Sequence, residues 1–299
     1  MQLIVAIGDL RVGGRKWRTC NHELQVGYGA CVPPSHRPPR QPRIANADLR
    51  EMVLAAGRSL LAEMGVSNGA THLTFKRVFA YIVEHGGPKL TNAQVYGRLW
   101  PSVEAFQLDV LADVARTSGL GDIRSTAEVV LPILEAADTS TVTARRRVLR
   151  ELVRVGAAEN AHALGRSREW ITFLGISSLA ATGALEEGAD AELAAAIREG
   201  YAAAAASVEE LYLYVLDALH FRVRDGLSLR QFTVSAAALV EGLSLRGLMD
   251  PSALKPVMRP TGPGDAMQEW HPYAVALEAL VDAYVEPDTK RRRVSDERS

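Results

Sequence analysis

Thr91, Asn92, Ala93, Gln94 and Tyr96 form a short polar run with Lys89 before it and Arg98 after it. Their chemistry suits contact with a nucleic acid. Asn and Gln each carry a donor and an acceptor in one planar amide, so either can pair with adenine in the major groove. Lys89, Arg98 and the Tyr96 hydroxyl suit phosphates, which position a protein without reading sequence. A helix opened by Thr91 would add the partial positive charge of its first turn. Upstream, Thr74, Lys76 and Arg77 open another stretch of helical period. Across residues 71–100 the four bases Lys76, Arg77, Lys89 and Arg98 meet a single acid, Glu84.

No comparable set supports catalysis. Gly8 with Gly13-Gly14 has the wrong spacing for a dinucleotide loop, and no βαβ pattern follows. Neither a Gly-Lys-Ser/Thr phosphate loop nor a Gly-x-Ser-x-Gly elbow occurs. Cys20, His22, Cys31 and His36 could ligate zinc, but their spacing fits no standard site. His162 and His220 fall in helical stretches and read as packed or surface histidines. Glu186-Glu187 and Glu209-Glu210 are adjacent pairs, so they point to different helix faces and read as solvated charges. The expectation is a protein without catalytic residues, metal or cofactor.

Positioning that polar run requires helices, and the chain is built to supply them. It is rich in alanine and leucine, with 6% aromatic residues, and both favoured types are good helix formers. Asn46 or Asp48 caps a helix with Leu49, Met52, Val53, Ala56, Leu60 and Met64 on its apolar face, ending at Gly65. Thr74 caps the next, with Phe75, Val78, Phe79, Ile82 and Val83 inward, and Gly86-Gly87-Pro88 breaks it. Thr91 caps a short third helix through Val95, Tyr96 and Leu99. Pro101 starts a fourth that buries Phe106, Leu108, Val110, Leu111 and Val114. Further helices are expected over 123–137, 142–163, 168–184, 191–224, 229–248 and 272–285. No strand is expected beyond a possible one at residues 3–7, and 251–264 reads as a loop.

Charge divides the chain. Residues 1–46 hold seven bases against two acids, residues 47–118 seven of each, and residues 119–285 fifteen bases against 22 acids. A basic front and an acidic rear imply that one part meets an anion and the other does not. Five prolines between Pro33 and Pro42 exclude helix there, so 1–46 reads as a disordered or non-native basic arm. Residues 286–299 read as a disordered polar tail. No stretch approaches the roughly 20 apolar residues of a membrane span. Two cysteines in 299 residues exclude a disulfide scaffold, so a cytoplasmic, membrane-free protein is expected.

Over about 70 residues the chain resembles the TetR family of bacterial transcriptional regulators. The resemblance is carried by Ala55-Ala56 with Leu60-Leu61-Ala62-Glu63-Met64-Gly65, by Thr74, and by Leu90-Thr91-Asn92-Ala93-Gln94-Val95-Tyr96. Leu99-Trp100-Pro101-Ser102 and Glu104-Ala105-Phe106 resemble the family's join between its reading helix and its fourth helix. Val240-Glu241-Gly242-Leu243 is similar to its late helices.

The resemblance implies an all-α protein. A helix-turn-helix DNA-binding domain over 47–118 would precede a helical effector-binding and dimerisation domain over 119–285. It implies a homodimer on double-stranded DNA, acting as a repressor released by a small apolar effector. Thr74, Lys76, Arg77, Lys89, Thr91, Asn92, Ala93, Gln94, Tyr96 and Arg98 would then meet DNA. Trp170, Phe173, Tyr201, Tyr212 and Phe232 could line the effector pocket, or be ordinary core. The small residues at 202–206 and 236–238 suit a dimer seam formed by the helices 191–224 and 229–248. A helical ligand-binding or scaffold protein that has lost DNA binding fits the same pattern of helices.

Overall fold

Side-chain caps and left-handed glycines set where the front helices begin and end. The structure, a computed structural model, describes residues 44–118, 123–181, 189–261 and 266–288. It is mostly helical, as expected. The described residues from Asn46 onward form one compact unit.

Helix α1 spans Asn46–Met64, and a short strand β1, Ser67–Ala70, follows. Helix α2 spans Phe75–Glu84, α3 Asn92–Val95 and α4 Val103–Ser118. Thr74 caps α2, its hydroxyl accepting the Arg77 N–H at 3.4 Å. At the far end Gly86 adopts φ +79°, its N–H donating to Val83 O at 3.1 Å while that of Gly87 donates to Ile82 O at 2.8 Å. That pair of bonds is a Schellman stop, and the left-handed residue inside it favours glycine. Between α1, α2 and α4 the Phe75 ring meets Phe79, Trp100 and Phe106, with centroids 5.9, 6.3 and 5.0 Å away.

The rear helices are α5 (Ile123–Glu135), α6 (Val142–Arg166), α7 (Arg168–Ala181), α8 (Ala189–Ala218), α9 (Leu229–Met249) and α10 (Pro272–Tyr284). Helix α6 packs on α5, α9 and α10, while α8 packs on α4, α5 and α9. The front module is seated on the rest mainly through α4, which lies against α7 and α8, with α1 also against α7. Gly200 makes that seat possible, since a Cβ there would stand 2.1 Å from the Ala115 carbonyl oxygen.

Several expectations need correction. The third helix closes after one turn, because Gly97 turns the chain at φ +70° and its N–H donates to Trp100 O at 2.7 Å. The long helix stops at Ala218 rather than at 224. His220 takes φ 51° there, and Phe221–Val223 (β2) pairs antiparallel with Val285–Pro287 (β5). In a second pair, Val257–Pro260 (β3) lies within the stretch 251–264 expected to be a loop and joins Met267–Trp270 (β4) just beyond it.

That hairpin is anchored by Trp270, which is fully buried. Arg259 and Arg150 stand over its ring at 4.6 and 5.6 Å, and both pair with Glu278. Met64 and Val83, expected inward, are 45% and 48% exposed. Leu54 and Leu61 fill the α1 interior instead. Residues 3–7, the basic arm up to residue 43, and residues 289–299 of the polar tail lie outside the described residues.

Helix α9 is long and apolar enough to cross a membrane by length and composition alone, a test that the core helix of a folded domain also passes. Its inward residues, Phe232, Thr233, Ala236, Val240 and Ser244, face the helices around it.

Candidate nucleic-acid interface and helical cavity

The polar run lies on the surface of the front module. Thr91, Asn92, Ala93, Tyr96 and Arg98 are exposed, as are Thr74, Lys76, Arg77 and Lys89. Buried Leu90 and Val95 hold α3 to the module from beneath. Tyr96 is 54% exposed, its ring edge-on to Phe75 at 6.4 Å. Trp100 fixes the turn after α3, donating from its indole N–H to Asp109 Oδ2 at 2.7 Å. Arg50 reaches the same carboxylate oxygen at 2.5 Å.

Not every predicted side chain is free to contact a base. Gln94 Oε1 accepts the Thr91 N–H at 2.8 Å and the Thr91 hydroxyl at 3.0 Å, which closes a capping box. Paired contact with adenine through Gln94 would require that box to open. Asn92 is the exposed amide of the helix. Arg98 donates to Asn46 Oδ1, tying the turn to the start of α1. Arg77 folds back towards His72 O at 3.4 Å and Met64 Sδ at 3.8 Å.

Behind this module α5 to α10 surround a cavity of 410 Å³. That lies within the roughly 300–1,000 Å³ range of small-molecule sites. Four of the five predicted aromatics line it: Trp170, Tyr201, Tyr212 and Phe232. Phe173 does not; it stands behind Tyr201, ring edge to face at 4.9 Å. Tyr273 also lines the space, and its hydroxyl donates to Ala236 O at 3.4 Å. Burial pushes the Tyr212 phenol up to about 12, and Tyr273 rises for the same reason.

The sequence reading missed the polar members of this wall. Thr126 and Thr233 line the cavity, and both hydroxyls are buried without a hydrogen-bond partner among the described residues. Glu241 lines it from α9, and burial pushes its carboxyl up to about 6. Arg230 lines it too, half-exposed and paired with Glu209 at 3.2 Å. One signal was available for Glu241: between Phe232 and Leu245 it is the only charged residue in an otherwise apolar or small-residue run.

A second hollow, between α6, α10 and β3, is lined by Arg146, Arg147, Arg150 and Arg259 together with Glu278 and Asp282. Cys20, His22, Cys31 and His36 lie outside the described residues. Among the described residues no group of three or more His, Cys, Asp or Glu side chains could hold a metal ion. Compared with protein-family models, curated proteins and solved structures, the chain matches none of them.

Proposed function

We propose that this chain is a TetR-like, DNA-binding transcriptional regulator, a homodimeric repressor released when a small molecule enters the rear cavity. The observation that carries the reading is the surface around α3. A Schellman stop, a capped polar turn and a fourth helix follow one another as a helix-turn-helix requires. Asn92, Ala93, Tyr96 and Lys89 stand exposed on that surface. The basic sequence of residues 1–46 would add phosphate contacts.

The cavity lies one residue from the seat of the front module. Tyr201 lines it, and the neighbouring Gly200 rests on Ala115 of α4. A ligand that displaces Tyr201 therefore pushes on the helix that carries the DNA-contacting turn. Dimerisation through α8 and α9 is supported by Leu213 and Val234, 57% and 52% exposed, and by Met249 at 83%. A second copy would cover these side chains with the same patch of its own.

The test is selection of bound fragments from a pool of random duplexes by the purified full chain, followed by footprinting. The reading expects a palindromic sequence with half-sites about one helical turn apart. Recovery of unrelated fragments alone would contradict it. Light scattering should give about twice 32.4 kDa. Leu248→Arg, at an exposed position of α9, should yield a folded monomer that binds DNA weakly.

A helical ligand-binding or scaffold protein without DNA binding is the second reading. It is favoured by the engagement of Gln94, Arg98 and Arg77 with their own module. That reading predicts no enriched fragment and ligand binding unaffected by DNA.

A further inference from the structure

The cavity holds a charge and two hydroxyls that its own walls do not satisfy. Glu241 has no hydrogen bond or ion pair among the described residues, and its electrostatic neighbour is the Tyr201 phenol. Arg230, the one cation among the described lining residues, is half-exposed and engaged with Glu209. Thr126 and Thr233 are 8% and 1% exposed, and neither hydroxyl finds a partner. The rest of the wall is overwhelmingly aliphatic and aromatic. A carboxylate partly withdrawn from water on an apolar wall, as Glu241 is, gains from an opposite charge brought to it. Walls of this kind complement a ligand that brings the missing partners.

We propose that the cavity takes an elongated lipophilic molecule bearing a basic nitrogen, with its ammonium group against Glu241 and its apolar body running along α9 towards Thr233. This rests on reading the cavity as the effector site and names the effector's chemistry. Glu241 and Thr233 are eight residues apart on one helix, or roughly 12 Å along its axis at about 1.5 Å per residue. That span sets the length of the apolar body.

An anionic amphiphile would bring like charge to Glu241. A neutral alcohol would fill the space and leave the carboxylate unpaired. Burial lifts the Glu241 carboxyl to about 6, which still leaves it ionised at neutral pH and ready to meet a cation.

The test uses three probes matched in chain length, decylamine, decanol and decanoate, titrated into the full chain by calorimetry at neutral pH below their micelle concentrations. Decylamine should bind at least about tenfold more tightly than either of the others. Glu241→Gln should bring decylamine to within about threefold of decanol and leave decanol within about twofold of its original affinity. Glu241→Asp should keep part of the preference for the amine.

The proposal is overturned if decanol or decanoate matches the amine in the unmodified protein, or if no probe binds. It is also overturned if Glu241→Gln weakens all three alike. The ranking in the unmodified protein decides the matter even if the Gln variant fails to fold. No DNA is present in these titrations. A protein that ranks the probes as predicted but ignores DNA keeps this inference and loses the regulator reading. One that represses at an operator yet prefers decanoate does the reverse.

Discussion

In the front module the rings of Phe75, Phe79, Trp100 and Phe106 fill the space between α1, α2 and α4, whereas the rear helices stand around 410 Å³ of mostly apolar space. The front puts its charged and amide groups outside and holds several by hydrogen bonds to its own backbone and caps. The rear encloses two threonine hydroxyls that have no partner among the described residues, and carries a partly buried, unpaired carboxylate on its cavity wall. Dense packing holds a surface in one geometry, as a reader of DNA grooves needs. Incomplete packing with unsatisfied polar groups is what a binding site presents before its ligand arrives.

The largest effect expected from this contrast is on stability. Phe106→Ala removes a fully buried ring from the front and should cost about 3–5 kcal/mol in denaturant unfolding. Leu211→Ala removes a side chain that already borders the cavity and should cost about 2 kcal/mol, near the low end for such a change. Equal losses at the two positions would break the comparison.

Next comes Glu241. Its carboxyl sits at about 6 in the folded protein against an ordinary 4.5. The folded state therefore holds that proton more strongly than the unfolded chain does. Stability falls as pH rises from about 4.5 to about 6 and stays lower above that window. Of the titratable groups around it, the Tyr201, Tyr212 and Tyr273 phenols, all pushed upward by burial, stay neutral across this range. Glu241→Gln should raise stability at pH 7 by about 1–2 kcal/mol, after allowance for partial exposure. Near the acid end of the window it should change little. Thermal unfolding at the two pH values checks this, and destabilisation at pH 7 would contradict it.

Gly86→Ala should cost about 1 kcal/mol, because the Schellman stop holds that residue at φ +79°. The position meets nothing within 4 Å of an added Cβ, so a larger loss would point to a contact rather than to backbone strain.

The helices and their stops were legible because they depend on neighbours in sequence. Thr74, Gly86 and Pro101 act within a turn of themselves, and the caps at Thr74 and Thr91 follow from local side chains. The short strands were not legible, since β2 pairs with residues more than 60 positions away and β3–β4 leans on Trp270 between two arginines of different elements. The aromatic wall of the cavity was legible as residue types, while its depth and its polar members were not. Thr126 and Thr233 look like any helical threonine in sequence, and only packing shows that their hydroxyls are enclosed without a partner. Gln94 was legible as an amide on the right helix, but its role in the capping box depends on the rotamer it adopts.

The central claim, that the front module meets the phosphates of double-stranded DNA, is tested most directly by fluorescence anisotropy of a labelled duplex with the full chain over a range of salt concentrations. The account predicts binding whose logarithm falls linearly with the logarithm of salt, with a steep slope set by the number of phosphates contacted. Lys89→Ala and Arg98→Ala should each weaken binding to every sequence and flatten that slope by about one. A full chain that does not bind the duplex, or binds with no dependence on salt, would contradict the claim.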